Sequence, residues 1–68
     1  MDAYKLEYEI KKAGYTIQGF CKELGISRSA YYKKRNGVSE FTQSEIQKIV
    51  WLLKLETPVG IFFAEKVS

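Results

Sequence analysis

Two amphipathic helix patterns in this chain are joined by three residues, Gly25-Ile26-Ser27, and that link constrains the fold more than any other feature. Upstream, Thr16 offers an N-cap, and Ile17, Phe20, Cys21 and Leu24 follow at the i, i+3, i+4, i+7 spacing of one buried helix face. Downstream, Ser27 can cap a second helix over about residues 27–35. Two short helices so closely linked cannot lie side by side. They must turn sharply, and Gly25 can take the positive φ that such a turn needs, with Ile26 pointing back into the core to pin the corner.

The rest of the chain reads as further short helices around that corner. Residues 3–13 place Ala3, Leu6, Ile10 and Ala13 on one face, with Asp2 as N-cap, Gly14 as the stop and a charged, solvated opposite face. Asn36-Gly37 marks a break and Phe41 follows as an apolar anchor. Thr42-Gln43-Ser44-Glu45 has the form of a capping box, opening a helix over about 43–55. That helix carries Ile46, Ile49, Val50 and Leu53 on one stripe and Trp51, Leu52 and Leu55 on the other, so it needs two neighbours. Thr57-Pro58 fits the cap and first position of a fifth helix, whose Ile61, Phe62 and Phe63 can supply one of them, leaving 65–68 as a frayed end. The expectation is one all-α domain of five short helices spanning 1–68.

Composition removes several classes of function. With no His and one Cys there is neither a zinc ligand set nor an internal disulfide. General base chemistry lacks its usual side chain, and no glycine-rich phosphate loop or paired carboxylates occur, so no enzyme, cofactor or small-molecule substrate is expected. No apolar run reaches the roughly 18 residues that span a bilayer, and Met1-Asp2-Ala3-Tyr4-Lys5 lacks the apolar core of a signal peptide. A cytoplasmic protein without membrane attachment is expected. No effector domain is expected within these 68 residues.

The net charge of +3 is unevenly placed. Residues 1–27 balance four lysines against four acids, and residues 38–68 carry one acid in excess. Residues 28–37 hold Arg28, Lys33, Lys34 and Arg35 and no acid. A polyanion suits such a segment, because neutralised phosphates release counterions. The plain alternative is a solvated helix face.

The acid-free segment coincides with the helix after the tight turn, and residues 16–35 then satisfy the requirements of a helix-turn-helix DNA reader. Cys21 is small where the second helix must cross the first; Gly25 forms the turn; Phe20, Leu24, Ile26 and Tyr31 can lock the corner. Arg28, Ser29, Tyr32 and Lys33 project from the start and outer face of the second helix, where base edges are read. Arg28 can bond guanine O6 and N7 through two N–H groups, Ser29 a base edge, and Tyr32 a thymine methyl or a phosphate. Lys33, Lys34 and Arg35 suit phosphates or solvent. Of the adjacent tyrosines, Tyr31 faces the core.

Leu24-Gly25-Ile26-Ser27-Arg28-Ser29, closed by Gly37, resembles the signature of the lambda-repressor-like (Cro and Xre type) helix-turn-helix family. The likeness continues through Phe41-Thr42-Gln43-Ser44-Glu45-Ile46, a Leu-rich helix and Ile61-Phe62-Phe63, and so covers about residues 3–65. It implies a small phage repressor or Cro-like regulator of transcription, with base contacts at Arg28, Ser29, Tyr32 and Lys33. Phosphate contacts are implied near Gln18, Asn36 and the start of the second helix. The chain departs from the family pattern at Cys21, where Ala is usual, and at Ile17, where Gln is frequent and Gln18 stands next to it. Lys34 fills a place that relatives give to an apolar residue, which implies looser packing at the end of the reading helix.

Bound as a dimer, such a protein would read an inverted repeat in double-stranded DNA with half-sites roughly 34 Å apart. Trp51, Leu52, Leu55, Phe62 and Phe63 exceed what 68 residues easily hide, so a homodimer surface stands beside complete burial as a reading of them. Cys21, on an apolar face without a His partner, reads as a small buried residue. The rival class is a protein-interaction module on the same fold, of antirepressor or antitoxin-like kind; the surplus apolar residues favour it and the acid-free segment opposes it.

Overall fold

A computed structural model describes residues 1–56 and 59–62 of the chain. These residues form five helices: α1 (Ala3–Lys12), α2 (Ile17–Leu24), α3 (Arg28–Arg35), α4 (Gln43–Leu53) and α5 (Val59–Phe62). Among the described residues there is no strand. Thr57 and Pro58, expected to open the fifth helix, lie outside them, as do Phe63 and the end of the chain at 65–68.

Each of the first four helices starts on a side-chain cap. Asp2, Thr16 and Ser27 accept, each at 3.0 Å, from the backbone N–H groups of Lys5, Gly19 and Ala30. Thr42 accepts from Glu45 N–H at 3.1 Å while the Glu45 carboxylate accepts from Thr42 N–H at 2.9 Å, the reciprocal pair that the sequence spells. Caps of this kind stabilise a helix by about 1 kcal/mol each, a large share of what a small domain has to spare.

The corner between α2 and α3 turns on Gly25, which adopts φ 85° and ψ 25°. The N–H groups of Gly25 and Ile26 both return to the Cys21 carbonyl, at 2.8 and 3.0 Å. A Cβ on Gly25 would meet nothing within 4 Å, so the sign of φ, rather than lack of space, selects glycine here. Ile26 is half-buried against the core, as its place in the link requires.

That core gathers Leu6 and Ile10 from α1, Phe20, Cys21 and Leu24 from α2, Tyr31 from α3, Phe41, then Ile49 and Leu53 from α4 and Ile61 from α5. Complete burial of one such aliphatic or aromatic side chain stabilises the fold by about 1.5–3 kcal/mol. α2 packs against both α3 and α4, while α1 meets α5, where Asp2 N–H donates to the Ile61 carbonyl at 2.8 Å. A line of rings, Tyr31 to Phe41 at 6.5 Å and Phe41 to Phe62 at 5.6 Å, joins α3 to α5. The loop between α3 and α4 is thereby fixed to the core.

Two expectations need correction. Ala13 is the exposed C-cap of α1, not part of its buried face. α4 stops at Leu53 rather than 55, because Lys54 takes the left-handed conformation (φ 55°, ψ 44°) and its N–H turns back to Trp51 and Val50. Leu55 nevertheless packs half-buried on the core with Leu52 and Phe62, whereas Trp51 stands 75% exposed.

Candidate nucleic-acid interface

The start of α3 is set by the Ser27 cap and its direction by the Gly25 corner, and its roll about its own axis follows from which residues are buried. At about 100° per residue, Arg28, Ser29, Tyr32 and Lys33 fall within one arc of roughly 140°. All four are exposed. The opposite arc holds Tyr31, fully buried, with Ala30, Lys34 and Arg35 half-buried. Four of the side chains singled out in the sequence therefore share one outward face, and it contains no acid.

Lys34 and Arg35, expected with the phosphate contacts, lie on the two flanks of α3 and are both paired within the chain. On one flank the Lys34 ammonium stands 3.2 Å from Glu45 Oε1, donates to the Glu40 carbonyl at 3.2 Å, and sits 5.8 Å from the centre of the Phe41 ring. Its side chain is 14% exposed. The looser packing implied at this end of the helix is thus corrected: the aliphatic stem covers apolar surface and the ammonium ties α3 to the start of α4. On the other flank Arg35 Nε donates to Glu7 Oε2 at 2.6 Å and Nη1 donates to Asn36 Oδ1 at 2.9 Å, with the guanidinium 5.9 Å from the Tyr4 ring. Between the flanks the buried Tyr31 hydroxyl donates to the same Glu7 oxygen at 3.1 Å.

Helical period alone assigns Glu7 to the solvated face of α1, whereas it pairs with Arg35 and Tyr31. The available signal was its place between Leu6 and Ile10, at the edge of the buried stripe. The Arg35 hydrogen bond holds the Glu7 carboxyl below the usual carboxylate range, against partial burial and with help from Tyr31. For Glu45 burial pulls upward, yet the Thr42 N–H and the Lys34 ammonium together bring it below the usual range as well. Burial, then the neighbouring Glu7 carboxylate, push the Tyr31 phenol far above its ordinary value.

Among the described residues, Arg28 and Lys33 have no carboxylate within salt-bridge distance. The basic segment thus presents two unpaired cations outward and holds two inward. Gln18 is exposed in the first turn of α2, and Asn36 is exposed as the C-cap of α3. Cys21 is buried where α2 faces α3, and burial raises its thiol above the ordinary value against the pull of Arg28.

An open groove beside α4 is lined by Tyr15, Val50, Trp51, Leu52 and Leu55. Among the described residues no three His, Cys, Asp or Glu side chains come together to hold a metal, and no helix is long and apolar enough to cross a membrane. No family model, curated protein or solved structure matches the chain.

Proposed function

We propose that this chain is a sequence-specific, double-stranded DNA-binding regulator of transcription with a lambda-repressor-like helix-turn-helix fold, acting in the cytoplasm as a phage-type repressor or Cro-like protein. The observation that carries the reading is the outward face of α3. Arg28, Ser29, Tyr32 and Lys33 lie together on it, exposed and free of acids, on a helix directed by a three-residue turn.

In this reading α3 enters the major groove. Arg28, in its first turn, bonds guanine O6 and N7, while Ser29 and Tyr32 contact neighbouring base edges. Lys33, Gln18 and Asn36 reach phosphates and set the register, and the positive end of the α3 dipole favours the anionic backbone. Regulation follows from occupancy, since a bound domain obstructs polymerase. Two copies related by two-fold symmetry would read an inverted repeat, and the exposed Trp51 beside Leu52 and Leu55 supplies an apolar surface for that pairing.

The same exposed Trp51 is what favours the second reading, a protein-interaction module on this fold. Selection of bound duplexes from a random pool, followed by titration at two salt concentrations, separates the two. An enriched, inverted-repeat sequence bound with salt-dependent affinity supports the DNA regulator; affinity that is absent or indifferent to salt overturns it.

A further inference from the structure

Nothing in the proposed contacts explains why the two flanks of α3 are each held by a carboxylate from another helix. Glu7 on α1 binds Arg35 and Tyr31, and Glu45 on α4 binds Lys34. The two attachments lie on the inward arc of the helix, about 100° apart, and flank the buried Tyr31 ring. Rolling α3 by even part of a turn would stretch one flank while compressing the other and would lift the Tyr31 ring from the core. A small roll is also what would move Arg28, Ser29, Tyr32 and Lys33 off their base edges.

We propose that Glu7 and Glu45 are positioning residues for DNA recognition: they fix the roll of α3 and withhold Arg35 and Lys34 from the phosphate backbone. The inference rests on the DNA-binding reading of α3. Its logic is one of selectivity, since a cation free to seek phosphate strengthens binding to every sequence alike, whereas a cation held by a carboxylate does not. The chain carries four basic residues on this helix yet exposes only two of them to sequence-independent attraction. Each carboxylate has a second partner that places it before any DNA arrives: Tyr31 hydroxyl for Glu7, Thr42 N–H for Glu45.

Glu7→Gln removes the charge while keeping an oxygen that Tyr31 can use, and Glu45→Gln keeps the capping box, which accepts Gln. The wild type and these variants, checked for helical circular dichroism, are titrated with the duplex enriched from a random pool and with a scrambled duplex over a range of salt. In each variant the plot of log affinity against log salt should steepen by about 0.9, the value for one added phosphate contact. Affinity for the scrambled duplex should rise and the ratio between the two duplexes should fall. Arg35→Met should leave the wild-type slope unchanged, and combined with Glu7→Gln it should return the slope to the wild-type value.

An unchanged slope and ratio in both glutamine variants overturns the proposal, as does a slope that falls by about 0.9 for Arg35→Met alone, because Arg35 would then already contact phosphate. A purely structural role would lower the melting temperature without moving the slope. A wild type that enriches no sequence and binds without salt dependence fails at the DNA reading itself, and the positioning role falls with it. A wild type that selects its duplex while the variants behave like it refutes the positioning role alone.

Discussion

Tyr31 and Tyr32 are neighbours in sequence with rings 5.1 Å apart, edge to face, yet Tyr31 is 0% exposed and Tyr32 is 39% exposed. One residue of helix separates the core from the outward face of α3, and the two rings mark that boundary. Replacing them should therefore separate stability from binding. Tyr31→Phe keeps the ring and deletes the hydroxyl that donates to Glu7, and should cost about 1–2 kcal/mol in urea unfolding. Tyr32→Ala should change stability by about 0.5 kcal/mol or less, as exposed substitutions do. Its effect should be seen in titration of DNA, where loss of the ring weakens the selected duplex.

Arg28 and Lys33 both face outward without a carboxylate partner among the described residues, but their chemistry differs. A guanidinium reads two acceptors of guanine at once, whereas an ammonium is a point charge. Arg28→Ala should weaken the selected duplex by about 1–3 kcal/mol and relax preference at one base position. Lys33→Ala should weaken all duplexes alike and make the salt slope shallower by about 0.9. Competition against duplexes substituted at each position measures both; equal, sequence-blind losses would reduce Arg28 to a phosphate contact.

Acid should weaken the attachments of α3. Glu7 and Glu45 both have folded-state values lowered below their ordinary one, so the stability they contribute is complete above the unfolded carboxylate value of about 4.5. It is lost as pH falls through the lowered folded values. Urea midpoints measured from pH 7 down to 3 should be flat and then decline below about 4.5, with a shallower decline in Glu7→Gln. Tyr31 runs the other way. Its raised value favours the folded state while the phenol is protonated, so stability should fall once pH climbs above about 10, where the unfolded phenol ionises.

Most of the scaffold could be read from the chain because its signals are local. Thr16, Ser27 and the Thr42–Glu45 box lie within three residues of the groups they cap, and Gly25 meets a requirement set by its own backbone. The outward residues of α3 followed from helical period once Tyr31 was placed inside. What stayed hidden depends on partners far along the chain: Arg35 finds Glu7 across 28 residues, and nothing near either side chain announces the other. Lys34 misled for a related reason. Its charge suggested a loose, solvated end, whereas Phe41 and Glu45 give the stem an apolar bed and the ammonium a partner.

The end of α4 is not legible in the sequence, because the apolar pattern runs on through Leu55 while the helix stops at Leu53. Lys54 leaves it with a φ of 55°, a conformation that costs an L-residue with a Cβ roughly 1 kcal/mol more than glycine. Leu55 N–H still returns to the Val50 carbonyl at 3.0 Å, so the closing turn is fully bonded and its conformation is required. Lys54 is exposed and forms no ion pair among the described residues, which makes its side chain dispensable. Lys54→Gly should therefore stabilise the domain by roughly 0.5–1 kcal/mol, the relief at φ being partly offset by the greater freedom of glycine in the unfolded chain. Urea unfolding of Lys54→Gly against Lys54→Ala isolates the effect. Alanine removes the same side chain but keeps the Cβ, and should leave the midpoint near that of the wild type; equal midpoints for the two variants would show that the left-handed turn costs the fold nothing.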